Sequence, residues 1–293
     1  MAVFTGTAAS DTITGTSLAD TITGLGGADL LNGGGGNDTI DGGADSDTIY
    51  GGLGADTIFG GDGNDLLNGD DGDDWIYGNA GGDDIYGGAG VDHVYGQDGD
   101  DNIFGNAGSD VLVGGVGNDD LRGGDGNDTL DESGTFGTDT LWGEGGDDII
   151  IGSTGNGSDL RGGDGNDEIY ANGQNTTVDG GANDDTIFIN SSGVHVEGGA
   201  GDDWSVTSEF ATVFITDSSG ADDRIYFGNT NLSDLVFGQN GNNLFITSAS
   251  DWADNNVNDH GVELVNYFTS TDHVEWVVGA DLQGVYLPDL LAA

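Results

Sequence analysis

Residues 60–78 read GGDGNDLLNGDDGDDWIYG, a stretch rich in glycine and aspartate that contains no lysine or arginine. Composition of this kind favours a disordered chain that repels itself. One apolar position nevertheless recurs, because Leu67 and Ile76 are nine residues apart and each follows an aspartate by two places. If that spacing extends along the chain, the stretch belongs to a repeat fold rather than to a disordered loop.

The nine-residue spacing extends in both directions. Fourteen aspartates follow one another at this period, and an isoleucine, leucine or valine stands two places after each of them. Chance does not produce such a run, so disorder is left as a prediction for the metal-free chain only. The periodic aspartates are Asp11, Asp20, Asp29, Asp38, Asp47, Asp56, Asp65, Asp74, Asp83, Asp92, Asp101, Asp110, Asp119 and Asp128.

The repeating unit is G-G-x-G-x-D-x-U-x, where U is aliphatic, and its chemistry predicts the local structure. Glycine allows the positive φ angles that turns need, so six residues are expected to form a turn. The other three, such as Thr57-Ile58-Phe59, are expected to form a short strand whose central aliphatic side chain points inward. Two units make one coil of eighteen residues, and the coils stack at about 4.8 Å into two parallel sheets.

The inward residues divide into two rows, one for each sheet. The first row is Ile13, Leu31, Ile49, Leu67, Ile85, Ile103 and Leu121, and the second is Ile22, Ile40, Ile58, Ile76, Val94, Leu112 and Leu130. The core predicted from this pattern is therefore thin, with one line of aliphatic side chains from each side.

The chain is strongly acidic, with a formal net charge of -51 over 293 residues. Its only basic residues are Arg122, Arg161 and Arg224, which disfavours nucleic acid and anionic membranes as partners.

Aspartates of adjacent coils would repel each other by roughly 3 kcal/mol at about 5 Å in an effective dielectric of about 20. A divalent cation between coils reverses that sign, and carboxylate and carbonyl oxygens at glycine turns favour Ca²⁺. Cysteine is absent, so disulfides cannot stabilise the fold.

Over roughly residues 6–206 these repeats resemble the RTX (repeats-in-toxin, haemolysin-type) calcium-binding nonapeptide family. The resemblance implies an all-β fold, a right-handed parallel β-roll solenoid that binds Ca²⁺ between turns one coil apart. The earlier turn gives its second and fourth carbonyls and its aspartate, and the later turn gives its first and third carbonyls and its aspartate. Carried over, one site joins Gly34, Gly36 and Asp38 to Gly51, Leu53 and Asp56, and the next joins Gly43, Asp45 and Asp47 to Gly60, Asp62 and Asp65.

Extended along the chain, the same resemblance assigns the full set of candidate metal ligands. They are Asp29, Gly34, Gly36, Asp38, Gly43, Asp45, Asp47, Gly51, Gly52, Leu53, Gly54, Asp56, Gly60, Gly61, Asp62, Gly63, Asp65, Gly69, Asp71, Gly72, Asp74, Gly78, Ala80, Gly81, Asp83, Gly87, Gly88, Ala89, Gly90, Asp92, Gly96, Asp98, Gly99, Asp101, Gly105, Ala107, Gly108, Asp110, Gly114, Val116, Asp119, Gly123, Asp125, Asp128, Asp139, Asp148, Asp167, Asp185 and Asp203. On the order of ten Ca²⁺ ions are expected in all.

The period also predicts the domain organisation. We expect the β-roll to span residues 1–206 and a β-rich cap to span 207–293. The turns within residues 1–32 lack the full glycine pattern and are expected to cap the roll. The register breaks near 131–138 and 152–161, and Ser158, Thr176 and Val194 stand where aspartates would. One edge of the later roll is therefore expected to bind less metal.

After Trp204 the glycine period ends, and segments rich in β-branched and aromatic residues indicate strands. These segments are residues 211–216, 224–227, 235–237, 244–247, 262–265 and 274–278, with Asn240-Gly241 as a hairpin turn. The region also resembles the C-terminal part of RTX proteins, although Gly279-Ala280-Asp281 departs from the usual Phe-Ala-Asp-Gly. The tail at 287–293 is either a type I secretion signal, as the resemblance implies, or a frayed terminus.

The sequence offers no catalytic signature. It contains no H-E-x-x-H and no G-x-S-x-G motif, and its four histidines are scattered. Adjacent acids such as Asp73-Asp74 are better explained as metal ligands than as glycosidase carboxylates. Because the aspartate period begins at Asp11, we expect no catalytic domain before the roll. The first residues lack the basic and apolar segments of an ordinary secretory signal.

Outward-facing aromatic residues form a second pattern at the coil spacing. One face carries Phe59, Trp75, Tyr77, His93 and Tyr95, and the other carries Tyr50, Tyr86 and Phe104. Such residues either stack with one another along the sheet or form a contact surface. The partners weighed for that surface are a glycan or matrix component, a second copy of the protein and the folded-back C-terminal segment.

Together these observations predict a secreted, extracellular or cell-surface calcium-binding protein without enzymatic activity. Low cytosolic calcium would keep the chain unfolded for type I secretion, and calcium outside the cell would fold it. The expected role is a structural or interaction component of the cell surface or extracellular matrix, including self-assembly. The alternative is a secreted host-signalling or membrane-active protein, similar to the roll-only RTX protein of root-nodule bacteria.

Overall fold

The computed structural model of the protein describes residues 1–207, 212–216, 219–220, 223–227, 235–240, 243–248, 261–264, 276–278 and 284–286. Its regular elements are β-strands, and no helix long and apolar enough to cross a membrane occurs among these residues. The chain divides into two compact units, Met1–Ile149 and Ile150–Ala293.

The strands of the first unit alternate with short turns along the whole repeat region. They are β1 (Val3–Thr5), β2 (Thr12–Thr14), β3 (Thr21–Gly26), β4 (Leu30–Gly35), β5 (Thr39–Ala44), β6 (Thr48–Leu53), β7 (Thr57–Asp62), β8 (Leu66–Asp71), β9 (Trp75–Ala80), β10 (Asp84–Ala89), β11 (His93–Asp98), β12 (Asn102–Ala107), β13 (Val111–Val116), β14 (Asp120–Asp125), β15 (Thr129–Asp131) and β16 (Thr140–Gly145), followed by β17 (Ile149–Ile151) at the boundary.

Successive strands of the first unit belong to two different parallel sheets. Odd-numbered strands pair in the order β1-β3-β5-β7-β9-β11-β13-β15, and even-numbered strands pair in the order β2-β4-β6-β8-β10-β12-β14-β16. Residues eighteen apart face each other, as Ile58 faces Ile76 in one sheet and Leu67 faces Ile85 in the other. The chain therefore winds as a parallel β-roll solenoid, and the predicted all-β fold class is confirmed.

The core of the first unit consists of the two predicted rows of aliphatic side chains. Every member from Ile22 to Leu130 is fully buried, with no exposed surface. Ile13, in the first coil, is only half-buried. The assignment of the two rows to two sheets is confirmed, since β4, β6 and β8 carry Leu31, Ile49 and Leu67 while β5, β7 and β9 carry the other row.

The regular strands are six residues long rather than the three that the sequence predicts. Strand β7, for example, runs from Thr57 through Asp62. The expectation was wrong because the parallel ladder does not stop at the glycines: Gly61 pairs with Asn79, and Asp62 pairs with Ala80. The true turn is correspondingly short and ends at the periodic aspartate.

The first register break is absorbed by the loop between β15 and β16. Across this loop Leu121 pairs with Leu141 rather than with a residue eighteen places later. The two additional residues therefore bulge out of the coil, while the sheet and its aliphatic row continue in register.

The second unit also begins with parallel strands. They are β18 (Asp159–Asp164), β19 (Glu168–Ala171), β20 (Thr177–Ala182), β21 (Thr186–Ile189), β22 (Val194–Gly201), β23 (Trp204–Thr207), β24 (Thr212–Thr216), β25 (Ser219–Gly220), β26 (Arg224–Phe227), β27 (Leu235–Asn240), β28 (Asn243–Ser248), β29 (Gly261–Leu264), β30 (Trp276–Val278) and β31 (Gly284–Tyr286). One sheet follows the order β19-β21-β23-β26-β30-β31, and the other follows β18-β20-β22-β24-β29-β28-β27, with β25 beside β22.

The parallel order of the second unit ends in antiparallel pairs. Strand β27 pairs antiparallel with β28, with Asn240 opposite Asn243, and Gly241 of the predicted turn lies outside the described residues. Strand β31, which the sequence did not predict, pairs antiparallel with β30. The Gly279-Ala280-Asp281 segment and the 287–293 tail lie outside the described residues. The division at 206/207 and the secretion signal stay predictions.

The thin core leads to a first testable prediction. Leu67 is fully buried, whereas the adjacent Leu66 lies on the outer face of the same strand and is partly exposed. Leu67→Ala is expected to lower the free energy of unfolding by about 2–5 kcal/mol, because a cavity is left in a single row. Leu66→Ala is the matched control, with an expected loss below about 1 kcal/mol. Denaturant unfolding in saturating calcium measures both, and equal losses would contradict the inward assignment.

Candidate metal centre

The periodic aspartates stack into continuous rows along the edges of the solenoid. In each row, the backbone N–H of one aspartate donates to Oδ1 of the aspartate one coil later, at 2.7–3.1 Å in the first unit. The Asp20 row comprises Asp20, Asp38, Asp56, Asp74, Asp92, Asp110, Asp128 and Asp148. The Asp11 row comprises Asp11, Asp29, Asp47, Asp65, Asp83, Asp101, Asp119 and Asp139.

In most of the regular turns the second carboxylate oxygen of the row aspartate is buried without a hydrogen-bond donor. The side chains concerned are no more than 3 % exposed, so water cannot solvate the charge that they carry at neutral pH. This is the case for Oδ2 of Asp29, Asp38, Asp47, Asp56, Asp65, Asp74, Asp83, Asp92, Asp101, Asp110, Asp119 and Asp128 in the first unit and of Asp185 in the second. Long rows of unpartnered carboxylate oxygens need either a cation beside them or a bound proton.

Each such oxygen lies in a cradle formed by the first glycine of its turn. A Cβ atom on Gly51 would lie 2.6 Å from Asp56 Oδ2 and 2.7 Å from the carbonyl oxygen of Gly69. A side chain at this position would therefore fill the space where the carboxylate of one coil meets a carbonyl of the next. We name this arrangement the glycine cradle; it recurs at Gly60, Gly78 and Gly105.

The other glycines of the turn bring the remaining predicted carbonyls close to the next coil. Gly54 has a φ of 119°, and a Cβ there would lie 2.6 Å from the carbonyl oxygen of Gly36. The carbonyl oxygen of Leu53 accepts a hydrogen bond of 2.7 Å from the Gly36 N–H. The turns that the family pattern pairs are thus in direct backbone contact.

Side chains at the third turn position point away from the cradle. Leu53 is 60 % and Val116 63 % exposed, and the side chains of Asp62, Asp71, Asp98 and Asp125 are exposed as well. The resemblance assigns these residues as ligands. Backbone carbonyls in this set accept N–H hydrogen bonds from the preceding coil, namely those of Leu53, Asp71, Asp98, Val116 and Asp125. No group of three or more His, Cys, Asp or Glu side chains in the described part of the chain is arranged to hold a metal. The candidate sites instead combine carboxylate oxygens with backbone oxygens.

Burial without a countercharge raises the pKa of the row carboxyls. Desolvation is the largest cause, and the neighbouring aspartates add to it. The pKa rises to about 6 for Asp47, Asp56, Asp65, Asp119 and Asp128 and to about 7 for Asp74, Asp92 and Asp101. Burial thus opposes ionisation of the row carboxyls, and a cation bound beside them would favour it.

The first two turns satisfy their aspartates in another way. Thr16 stands where the regular turn has its second glycine, and both its N–H and its hydroxyl donate to Asp20 Oδ2 at 2.7 Å. Thr7 makes the equivalent pair of bonds to Asp11 Oδ2. The hydrogen bond from the Thr16 side chain is the main reason why the pKa of Asp20 is lowered. Neutral donors thus take the role of a cation in these turns.

Among the residues of the second unit that the structure describes, an aspartate row follows one edge. Asp167, Asp185, Asp203 and Asp223 repeat the N–H to Oδ1 bonds at 2.8–2.9 Å. Neutral residues occupy the aspartate positions of the other edge, where the Thr176 hydroxyl donates a hydrogen bond of 2.9 Å to the Gly173 carbonyl oxygen. Ser158, Thr176 and Val194 are buried there. These neutral side chains are in line with the expectation of a metal-poor edge.

Two acidic residues of these edges were missed by the sequence reasoning. Asp223 continues its row twenty residues after Asp203, and its Asp223-Arg224-Ile225 spacing repeats the aspartate–aliphatic signal outside the nine-residue register. Glu132 is fully buried in the first register break, and burial raises its pKa to about 8. It stands nine residues after Gly123, where the period requires a glycine.

Seven of the eight predicted outward residues stack on one another on the outer faces of the first unit, whereas Tyr50 lies between Asn32 and Asn68 in its sheet. The ring centroids of Phe59 and Tyr77 lie 5.1 Å apart and those of Tyr77 and Tyr95 5.2 Å apart, with planes within 9°. Trp75 stacks on His93 at 4.3 Å. On the other face Tyr86 stacks on Phe104 at 5.0 Å, so the stacking expected from the sequence is present.

The donor set fits Ca²⁺ better than softer metals. The groups that converge are carboxylate and carbonyl oxygens, and the chain contains no cysteine. At Gly33, for example, Asp38 Oδ2 and the Gly51 carbonyl oxygen border the same glycine cradle. A cation bound there would be held by oxygens of two successive coils.

The comparison with protein families agrees with this chemistry. The model for the RTX calcium-binding nonapeptide repeat (4 copies) matches residues 5–40, 26–58, 33–67, 59–94, 95–130, 133–159 and 157–187. No curated protein matches the chain. Because the family matches cover more than half of the sequence, and the repeats fold into the parallel roll with its buried aspartate rows, the chain belongs to the RTX calcium-binding nonapeptide-repeat family.

Proposed function

We propose that the protein is a secreted, non-enzymatic β-roll that folds when its aspartate rows bind calcium outside the cell. The observation that carries this proposal is the continuous line of buried, unpartnered Oδ2 atoms along the edges of the first unit. Such a line is too costly to bury without cations. Folding and calcium binding are therefore one process.

The chain's own residues supply the switch. The Oδ1 atoms fix each carboxylate to the backbone of the preceding coil, as Asp56 Oδ1 is fixed by Asp38 N–H at 2.7 Å. The glycine cradle then holds Oδ2 beside a carbonyl of the following coil. Each site at a calcium concentration of 100 times its dissociation constant adds about 2.7 kcal/mol to stability. On the order of ten such sites outweigh the repulsion within the rows.

Export is the setting in which such a switch is useful. A chain of net charge -51 that lacks calcium stays expanded, which suits threading through a type I secretion channel. Calcium-rich fluid outside the cell then drives folding in one direction. We place the secretion signal in the 287–293 tail.

The role outside the cell is structural, as a component of the cell surface or matrix that associates with further copies. We place the contact on the outward aromatic residues of the first unit, where Trp75 is 42 % exposed. The flat faces of Tyr77 are covered by Phe59 and Tyr95, which leaves ring edges at the surface. Ring edges favour packing against another sheet over face-on stacking with a sugar.

A calcium titration of the chelated protein tests the proposal. Circular dichroism is expected to change cooperatively from coil to β between sub-millimolar and millimolar calcium, with no equivalent change in magnesium. Light scattering recorded in the same titration is expected to rise as copies associate. A β spectrum already complete in excess chelator would sink the calcium-folding mechanism, while folding without scattering would remove only the self-association.

A further inference from the structure

The first register break contains a buried carboxylate that the repeat pattern does not account for. Glu132 follows β15 and has no exposed surface. Its Oε1 accepts a hydrogen bond from Gly114 N–H, and its Oε2 accepts one of 3.2 Å from Gly115 N–H. The side chain therefore folds back onto the turn one coil earlier.

Glu132 changes the chemistry of one glycine cradle. In the preceding coil on the same edge, a Cβ on Gly96 would meet Asp101 Oδ2 and the Gly114 carbonyl oxygen. A Cβ on Gly114 would instead meet Asp119 Oδ2, at 2.5 Å, and Glu132 Oε1. A side-chain carboxyl oxygen thus stands where the neighbouring cradle has a backbone carbonyl oxygen.

The backbone of the break explains this exchange. The carbonyl oxygen of Glu132 accepts a hydrogen bond of 2.7 Å from the Thr135 hydroxyl, because the chain turns out of the coil at this point. The carbonyl is thereby drawn into the loop, and the side chain takes its place. The same hydroxyl lies 3.2 Å from Glu132 Oε2 and helps to fix the carboxylate.

A second feature of the cradle points to a ligand. Asp119 is 2 % exposed, its Oδ1 accepts from Asp101 N–H at 2.9 Å, and its Oδ2 is buried without a hydrogen-bond partner. That oxygen faces the space that Glu132 Oε1 shares. Two carboxylate oxygens directed at one buried space are stable only with a cation between them or a proton on one of them.

We propose that the register break builds a specialised calcium site in which Glu132 supplies a carboxylate ligand together with Asp119. The inference rests on the proposed calcium-binding function and deepens it. Because calcium affinity rises with the number of charged ligands, this site binds the tightest ion of the first unit. The break would then be the point at which the roll is first filled as calcium rises.

The test is Glu132→Gln in the full chain, compared with Glu144→Gln. Glutamine keeps the size of the side chain and one acceptor but removes the charge. Glu144 lies in a regular turn with its side chain exposed, so the control removes the same charge at the surface. Competition with a chromophoric chelator is expected to show the tightest calcium ion weakened at least about tenfold in Glu132→Gln. Glu144→Gln is expected to stay within about twofold of the unmodified protein.

The outcomes distinguish calcium binding by the roll from the specialised site at Glu132. If the unmodified protein binds no calcium, the proposed function fails; if it binds calcium and Glu132→Gln leaves the tightest ion unchanged, only the specialised site is refuted. Should Glu132→Gln not fold in saturating calcium, europium(III) excitation spectra of the unmodified protein decide, since the band energy depends on the summed ligand charge. The first equivalent is expected to give a band of higher ligand charge than later equivalents, and a single common band would overturn the proposal.

Discussion

Replacing Asp74 by asparagine is expected to have opposite effects with and without calcium. Asp74 has no exposed surface, its Oδ1 accepts from Asp56 N–H at 2.7 Å, and its Oδ2 is buried without a partner. Asparagine keeps the Oδ1 bond and removes the charge. In saturating calcium the variant should lose about 2.7 kcal/mol for each ion that no longer binds.

In chelator the same change should stabilise the folded state, because an uncompensated buried charge has been removed. The new Nδ2 can also donate to the Gly87 carbonyl oxygen, which shares the Gly69 cradle with Asp74 Oδ2. The neighbouring Asp73→Asn is the matched control. Asp73 is exposed, and its Oδ1 accepts from Val91 N–H at 2.9 Å, so the control changes the same formal charge outside the row.

Circular dichroism and denaturant unfolding, each run in calcium and in chelator, give the four comparisons needed. The expected pattern is a loss for Asp74→Asn in calcium, a gain for it in chelator, and small changes of either sign for Asp73→Asn. If Asp74→Asn destabilised the protein equally in both conditions, Asp74 would be a structural acceptor only, and the row would need no cation.

Much of the fold was predictable because the same pattern of aspartate and aliphatic positions recurs many times along the chain. The aspartate and aliphatic positions from Asp29 to Leu130 fix which residues face inward and which strands are neighbours. Strand length was not predictable in the same way. Glycine has a low strand propensity, yet Gly61 joins the ladder because the coil above it presents Asn79 in register.

The candidate site was predictable where it follows the period and missed where a side chain replaces a backbone group. Asp56 and Gly51 are placed by spacing alone. Glu132 occupies a glycine position of the period, and only the path of the loop at Thr135 shows that its carboxylate turns back into the cradle. Thr16 is a similar case. Its position in the sequence indicates only an imperfect repeat, and the structure shows that it donates two hydrogen bonds to Asp20.

Acid is expected to fold the calcium-free chain. The row carboxyls have an ordinary pKa of 3.8, and in the folded state it rises to about 6 for Asp56 and Asp65 and to about 7 for Asp74, Asp92 and Asp101. Folding therefore favours the protonated forms. The stability they contribute is fully present below pH of about 4 and is lost as the pH rises through 6 to 7. Circular dichroism of the calcium-free protein should show β structure near pH 4.5 and coil near pH 7.5.

Calcium reverses this dependence, because protons and calcium compete for the same oxygens. The apparent calcium affinity should fall as the pH drops from about 7 to about 5. Added salt distinguishes the effect of the buried aspartate rows on folding from the effect of the overall net charge. At pH 7.5, 1 M sodium chloride screens exposed aspartates within about 3 Å but does not screen buried ones. Salt alone should therefore leave the calcium-free chain unfolded. If salt restored the β spectrum as well as acid does, overall repulsion rather than the buried rows would control folding.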